Sequence, residues 1–488
     1  MACGKLIRLG FQKFSIRRFH GTAEGTSNWR YLMKKELESG TCGRPQESNP
    51  VCIYKVPSNM RQVEPKAYRP NNISIGPYHH GAPHLRKFEV LKKKFYRRLF
   101  DPNGVNGPKL DDAFKFLEEQ EVKARRCYMD HITLSSDEFL QMMLIDGSFI
   151  IQLLKDLSER EFGQVPCLSR WMLPIIRREL IMLENQIPLS VLTELFRLTS
   201  VTPSQPCMSL KALALRLFYP LLQVDSDNIS ECAKSDTHER HHFLDLLRSS
   251  IGPKLEGKNP RGPQTHMIRS VTELTEAGVK IKADETRQLL NISFRKKWRV
   301  LMRELTIPPL YIDDHRGTVF RNIVAFEKCH KECNPDVTTY LFFFNGLVNS
   351  PKDVALLHYK GVLHHSLGDD HAVSELINNI SKEMVPDKNE SYLHKVANDA
   401  NSYFGSFYAR KRAWLAHYYL TSWVVGISTV GALLAFYFTL IQTVCGFADA
   451  LEALKDYSFR SLFIDAFCIP FRRAPTTNSQ VENCNAEG

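Results

Sequence analysis

The chain has 488 residues, with 64 Lys and Arg against 53 Asp and Glu, a net charge of +11 and 43% hydrophobic residues. With 29 Phe, 17 Tyr and a mean hydropathy of −0.27, it is too apolar and aromatic for a disordered chain and too polar for a multi-span membrane protein. Twelve Cys in this length exclude a disulfide-stapled miniprotein and point to a reduced, intracellular chain.

The excess charge is local. Residues 1–126 hold 25 bases and 12 acids, residues 127–412 hold 35 of each, and residues 413–488 hold 4 and 6. That pattern is a basic leader and a basic helix on a neutral body, so nucleic acid is not an expected partner. Residues 1–45 read as a basic, disordered leader. Lys5, Arg8, Lys13, Arg17 and Arg18 precede the first acid, Glu24, a composition shared with organelle transit peptides, and no secretory apolar run is present.

Residues 46–249 read as one helix-rich half of a domain. In the string Gly76-Pro77-Tyr78-His79-His80-Gly81, two glycines and a proline bracket three polar aromatic groups. This is either a candidate binding turn, with acid–base or ligand capacity in Tyr78, His79 and His80, or a packing corner. Next come seven bases, Arg86, Lys87, Lys92, Lys93, Lys94, Arg97 and Arg98, with one acid, while Leu85, Phe88, Leu91, Phe95 and Leu99 step along one helical face. Such a basic amphipathic helix is a solvated face over a core stripe or a contact for anionic lipid.

A capping box, Ser135 to Glu138, opens a helix whose apolar positions Phe139, Met142, Met143, Phe149, Ile150, Leu153, Leu154 and Leu157 demand burial. Helical runs follow from Ile175 to Leu183 and, after Pro188, from Leu189 to Leu198. Glu184, Asn185 and Gln186 sit between these apolar runs and are expected in a buried polar network, with Arg177 or Arg178 as the partner of the carboxylate. His238-Glu239-Arg240-His241-His242 spells the H-E-x-x-H zinc spacing, with His238, Glu239 and His242 in the zinc-hydrolase roles. It opens in a polar loop and lacks a third ligand, so no metal or other cofactor is expected.

Residues 250–265 read as a linker or long loop and 266–412 as the second half of the domain. Short β-branched and aromatic runs at Leu289–Phe294 and Leu305–Ile312 predict a small sheet. Cys329-His330-x-x-Cys333 has no second pair near it in sequence and reads as packing thiols. No phosphate-binding loop, dinucleotide fingerprint, kinase set or serine-hydrolase elbow occurs, which excludes nucleotide-driven and serine-hydrolase chemistry.

The most decisive segment lies near the C-terminus. Ala413 to Ala448 carries no Asp, Glu, Lys or Arg. Within it, Val424 to Val444 at about 1.5 Å per residue spans roughly 31 Å, the thickness of a bilayer core. Tyr418, Tyr419 and Trp423 stand where an aromatic belt would lie, Arg410-Lys411-Arg412 forms a basic flank, and Gly431 with Ala435 makes a small-xxx-small pair. The expected fold is mainly α with a minor β component, a helix-rich globular body plus one C-terminal transmembrane helix (424–444) and a tail (445–488). The basic flank and the missing secretory signal favour a cytoplasmic body.

Several strings resemble a known family in family order: IYKVPSNMR (53–61), AYRPNNISIGPYHHG (67–81), EFLQMMLIDGSFIIQLL (138–154), ELIMLENQIPLSVLTELF (179–196), IPPLYIDD (307–314) and TTYLFFFNGLVNSPKDVALL (338–357). They identify the chain as similar to plant domain-of-unknown-function family 247, uncharacterised plant proteins with a C-terminal membrane helix. A basic insertion, RKKWRVLMRE (295–304), the leader and the tail depart from the family pattern. The resemblance implies a recognition or signalling component at a membrane, the plasma membrane rather than an organelle. It would act through unknown protein partners, in self/non-self recognition or defence. The alternative is a membrane-tethered, hydrolase-like enzyme with a pocket containing His79, His80 or Glu184.

Overall fold

The computed structural model describes residues 35, 51–100, 110–159, 165–200, 208–222, 241–252, 261–263, 267–285, 288–296, 303–382, 391–419 and 423–453. Contacts divide the chain at residue 50, and everything below concerns the unit from Val51 onward.

That unit is mainly helical. In its first part run α1 (Ser58–Val63), α2 (Arg86–Leu99), α3 (Leu110–Arg126), α4 (Ser136–Glu159), α5 (Met172–Glu179), α6 (Leu189–Leu198), α7 (Leu210–Leu222) and α8 (Phe243–Ser250). The capping box at the start of α4 forms: Ser135 Oγ accepts the Glu138 N–H at 3.3 Å and Glu138 Oε2 accepts the Ser135 N–H at 3.0 Å. All eight apolar positions named for this helix are buried, and α2, α3, α6 and α7 pack around it.

The second part holds α9 (Val271–Glu276), β1 (Val279–Ala283), β2 (Ser293–Lys296), β3 (Arg303–Ile307), β4 (Leu310–Ile312), α10 (Asp314–Cys329), α11 (Asp336–Leu347), α12 (Pro351–Tyr359), β5 (Leu363–His365), α13 (Asp370–Ser381), α14 (His394–Gly405), α15 (Phe407–Tyr419) and α16 (Trp423–Ala453). Helix α10 starts on an Asp313 cap, is buried from Gly317 to Glu327, and touches α5, α7 and α8 of the first part as well as α11 and α13. The described residues of 51–249 and of 266–412 therefore share one core.

The sheet differs from expectation in three ways, the first being that the Leu289–Phe294 run gives a strand only from Ser293, which continues to Lys296. Pro308 and Pro309 lack the N–H a ladder needs, so the run Leu305–Ile312 splits: β3 joins β1 and β2 in the order β1-β3-β2, and β4 pairs parallel with β5. The third strand of the larger sheet, β1, lies in an alternating Val279-Lys-Ile281-Lys run, with Val279 and Ile281 buried and Ile281 opposite Leu305. Strands β2 and β3 are antiparallel neighbours and take in both ends of the basic 295–304 insertion, Arg295 and Lys296 pairing with Glu304 and Arg303.

Among the described residues, one helix is long and apolar enough to cross a membrane, Ile427–Phe447 within α16, and none of it is buried against the rest of the chain.

Candidate functional site

Helix α5 stops at Glu179, four residues before the expected end, where side chains satisfy the carbonyls at and just beyond its last residue. Asn185 Nδ2 donates to the Glu179 carbonyl at 2.9 Å, and Gln186 Nε2 donates to those of Leu180 and Met182 at 2.7 and 2.8 Å. Residues 180–188 are thereby freed to form a fully buried turn, which the Ile73–Gly76 segment crosses. The Ile75 N–H donates to Asn185 Oδ1 at 2.7 Å and Asn185 Nδ2 also donates to the Ile73 carbonyl at 3.1 Å, so one amide holds both chains.

Three carboxylates tie this crossing down. Glu179 receives the N–H groups of Asn71, Asn72 and Ile73 at 3.1, 3.0 and 2.8 Å and the Asn72 amide at 3.0 Å. Asp146 of α4 takes the Gly76 N–H at 2.9 Å and Lys92 Nζ at 2.6 Å. Glu184 takes the Val56 N–H at 2.6 Å and the Arg61 guanidinium, with His79 Nε2 at 3.5 Å from its second oxygen. Burial works against the charged form of Glu184, yet His79, the Val56 N–H and Arg61 together hold it below the usual carboxylate range. Its partner is thus Arg61, not Arg177 or Arg178. Arg178 instead stands 3.7 Å from Glu179, which belongs to its own helix. From the other side, Asn322 of α10 accepts the Leu183 N–H at 2.9 Å and donates to the Ala67 carbonyl at 2.8 Å.

The turn at 76–81 is built onto the same crossing. Gly76 has φ +73° and a Cβ there would stand 2.3 Å from the Gln186 carbonyl oxygen, so only glycine fits; Gly81 has φ +77°. Tyr78 OH donates to the Ile53 carbonyl and accepts the Asp130 N–H, both at 3.3 Å, and burial pushes its phenol up to about 12. His79 faces Glu184 and His80 is exposed.

The remaining expected residues lie apart. On α2, Lys92 is fully buried between Asp146 and Glu89, and Arg98 is half-buried on Asp156, a correction to the seven-base outer face. Arg86, Lys87, Lys93, Lys94 and Arg97 remain exposed around Val90, itself 63% exposed. His238 and Glu239 lie outside the described residues. His242 caps α8: its Nδ1 accepts the Asp245 N–H at 3.3 Å and its Nε2 meets the Cys52 carbonyl at 3.0 Å, leaving no ring nitrogen for a metal. Cys333 Sγ rests on the His330 carbonyl at 3.2 Å, and His330 lies stacked on Phe326.

Burial lowers His242 from the ordinary 6.5 to about 4. The folded chain holds it neutral where the unfolded chain binds a proton, so its contribution is present above pH 6.5 and is lost as pH falls through about 4. In His242→Asn, which keeps a capping acceptor, the drop in urea midpoint across this window is expected to be smaller than in the parent chain.

A cleft of about 780 Å³ opens elsewhere, where the ends of α7, β1, β4 and α10 meet, with Tyr219, Leu222, Glu285, Pro309, Tyr311 and Arg316 among its lining residues. It is sized for a small organic molecule. None of the candidate site residues named from the sequence lines it, although the string at 307–314 supplies Pro308, Pro309, Leu310 and Tyr311. The available signal was Tyr311, exposed between buried Leu310 and Ile312. Arg316 is occupied in this cleft, donating to Asp313 at 2.9 Å and to the Leu221 carbonyl at 2.8 Å.

Residues 53–438 match the model of DUF247, described as a plant protein of unknown function. The chain belongs to this family. Relatives of this DUF247 chain include two from Arabidopsis thaliana. UPF0481 protein At3g47200 is 27% identical over 430 residues, covering 83% of this chain and 88% of the relative. Putative UPF0481 protein At3g02645 is 25% identical over 488 residues, covering 82% and 91%. No solved structure matches. The DUF247 region opens at Ile53, which bridges to Tyr128, and closes inside α16, so it takes in both the polar crossing and the first half of the apolar helix.

Proposed function

We propose that this DUF247 protein is a single-pass membrane-anchored interaction protein, its helical body on the cytoplasmic side of the plasma membrane, working in recognition or signalling. The observation that carries the reading is α16: Ile427–Phe447 is 21 residues of mean hydropathy 1.8 with no part buried, and a soluble helix of that composition would be covered by its own core. The crossing supports interaction over catalysis. Glu184, Asn185 and Gln186 are buried and spent on backbone groups and, for Glu184, on the Arg61 guanidinium, and a buried carboxylate bonded in this way is a tie between segments. The five exposed bases around Val90 on α2 offer a surface to an anionic partner, lipid headgroup or acidic protein. Self/non-self recognition and defence are settings supplied by family resemblance alone.

The test is extraction of native membranes with alkaline carbonate, followed by protease treatment of sealed vesicles. Full-length protein is expected to stay in the pellet, with the body digested from the cytoplasmic face. Release into the supernatant would remove the anchor, and a protected body would reverse the orientation.

A further inference from the structure

We infer that α15 is an interfacial helix that lies in the headgroup layer, with Phe407, Tyr408, Trp414 and Leu415 entering the lipid; the inference rests on the membrane-anchor reading of α16. Positions 407, 408, 411, 414 and 415 fall on one helical stripe. Four of them carry large hydrophobic side chains that are 69%, 81%, 50% and 45% exposed, and the fifth, Lys411, stands over the Phe407 ring at 5.7 Å. A solvated face of a soluble protein carries single exposed hydrophobics, not a row of three aromatics and a leucine.

The opposite face is already occupied by the body. Ala409 is 1% exposed, α15 packs on α9 and α14, and the Arg412 guanidinium lies against Gly278, where a Cβ would come within 2.7 Å of Nη1. The helix is therefore held with its aromatic row outward. Its composition names the occupant. The 13 residues of α15 contain Arg410, Lys411 and Arg412 and no acid, and aromatic rings with flanking bases are what the boundary between headgroups and acyl chains selects. Geometry agrees, since three residues separate Tyr419 from Trp423, where α16 begins, so an anchored chain cannot hold α15 far from the bilayer surface.

The experiment uses the full chain reconstituted in phosphatidylcholine–phosphatidylserine vesicles. The emission of Trp414 is taken as the difference between the parent and Trp414→Phe. Lipids brominated near the headgroup or near the acyl end supply quenching from the membrane, and acrylamide supplies it from water. The expected result is a blue-shifted Trp414 component, quenched more by shallow than by deep bromines and shielded from acrylamide. In Phe407→Ser/Tyr408→Ser/Leu415→Ser the component is expected to shift red and become open to acrylamide. Acrylamide quenching without bromine quenching, in vesicles from which carbonate does not extract the chain, would overturn the interfacial helix and leave the anchor intact. Quenching by neither would mean protein covers the row, which also overturns it. Extraction by carbonate would bring down the anchor reading and this inference together.

Discussion

Replacing Glu179 by alanine is expected to cost about 3–5 kcal/mol of folding stability, because four hydrogen bonds to one charged acceptor are lost together. The side chain is fully buried, and it gathers the N–H groups of three successive residues, Asn71 to Ile73, 106 to 108 residues away in sequence. Without the carboxylate the buried Ile73 N–H loses its acceptor, and an unsatisfied buried donor carries its full desolvation penalty. Glu179→Gln keeps one acceptor oxygen and should fall between the two. The control is Glu194→Ala, which removes an acceptor of Arg197 on the exposed side of α6 and should cost no more than about 1 kcal/mol. Denaturant unfolding of the full chain in detergent, followed by helical circular dichroism, measures all three. A Glu179→Ala loss no larger than that of Glu194→Ala would show that the crossing does not hold the body together.

The second large effect is expected at Gly76. Alanine there meets two obstacles at once. The left-handed backbone at φ +73° costs a non-glycine residue roughly 1–2 kcal/mol. The added Cβ would also sit 2.3 Å from a backbone oxygen, Gln186 O, which cannot rotate away as a side chain would. The crossing must open to admit the methyl, so Gly76→Ala should lose several kcal/mol, the upper end of single-substitution effects, and weaken the hydrogen bonds to Asp146 and Asn185. Gly81→Ala separates the two causes. Its φ is similar, +77°, but nothing lies within 4 Å of the Cβ position, so only the backbone penalty of about 1–2 kcal/mol should appear. Equal losses at the two positions would show that the close approach of the 73–76 and 184–186 segments does not matter.

Much of the helical content was legible in the sequence because it rests on local physics. The α4 capping box and its 3.6-residue apolar period needed no partner to be recognised, and the uncharged run of α16 is a matter of length and hydropathy alone. The family strings were legible too, although they name a family whose activity is unknown. The candidate site was only half legible. That Glu184, Asn185 and Gln186 are buried followed from their apolar flanks, but Glu184 meets Arg61 and Val56 and Asn185 meets Ile75, all more than 100 residues distant, and no local rule selects those over the adjacent Arg177 and Arg178.

The same division runs through the rest of the chain. Composition and periodicity alone determined that this is a mainly helical body with a basic first quarter and one apolar helix, since each depends on neighbours within a few turns. Tertiary structure decided how the +11 is distributed in space: Lys92 is drawn into the core by Asp146, Arg98 is held by Asp156, and the remaining bases of α2 line an outer face around Val90. It also decided that Phe407, Tyr408 and Trp414 of α15 face away from the body, because Ala409 takes the side that packs. Which of two faces is buried is set by what the rest of the chain brings against it, and that is a property of the fold.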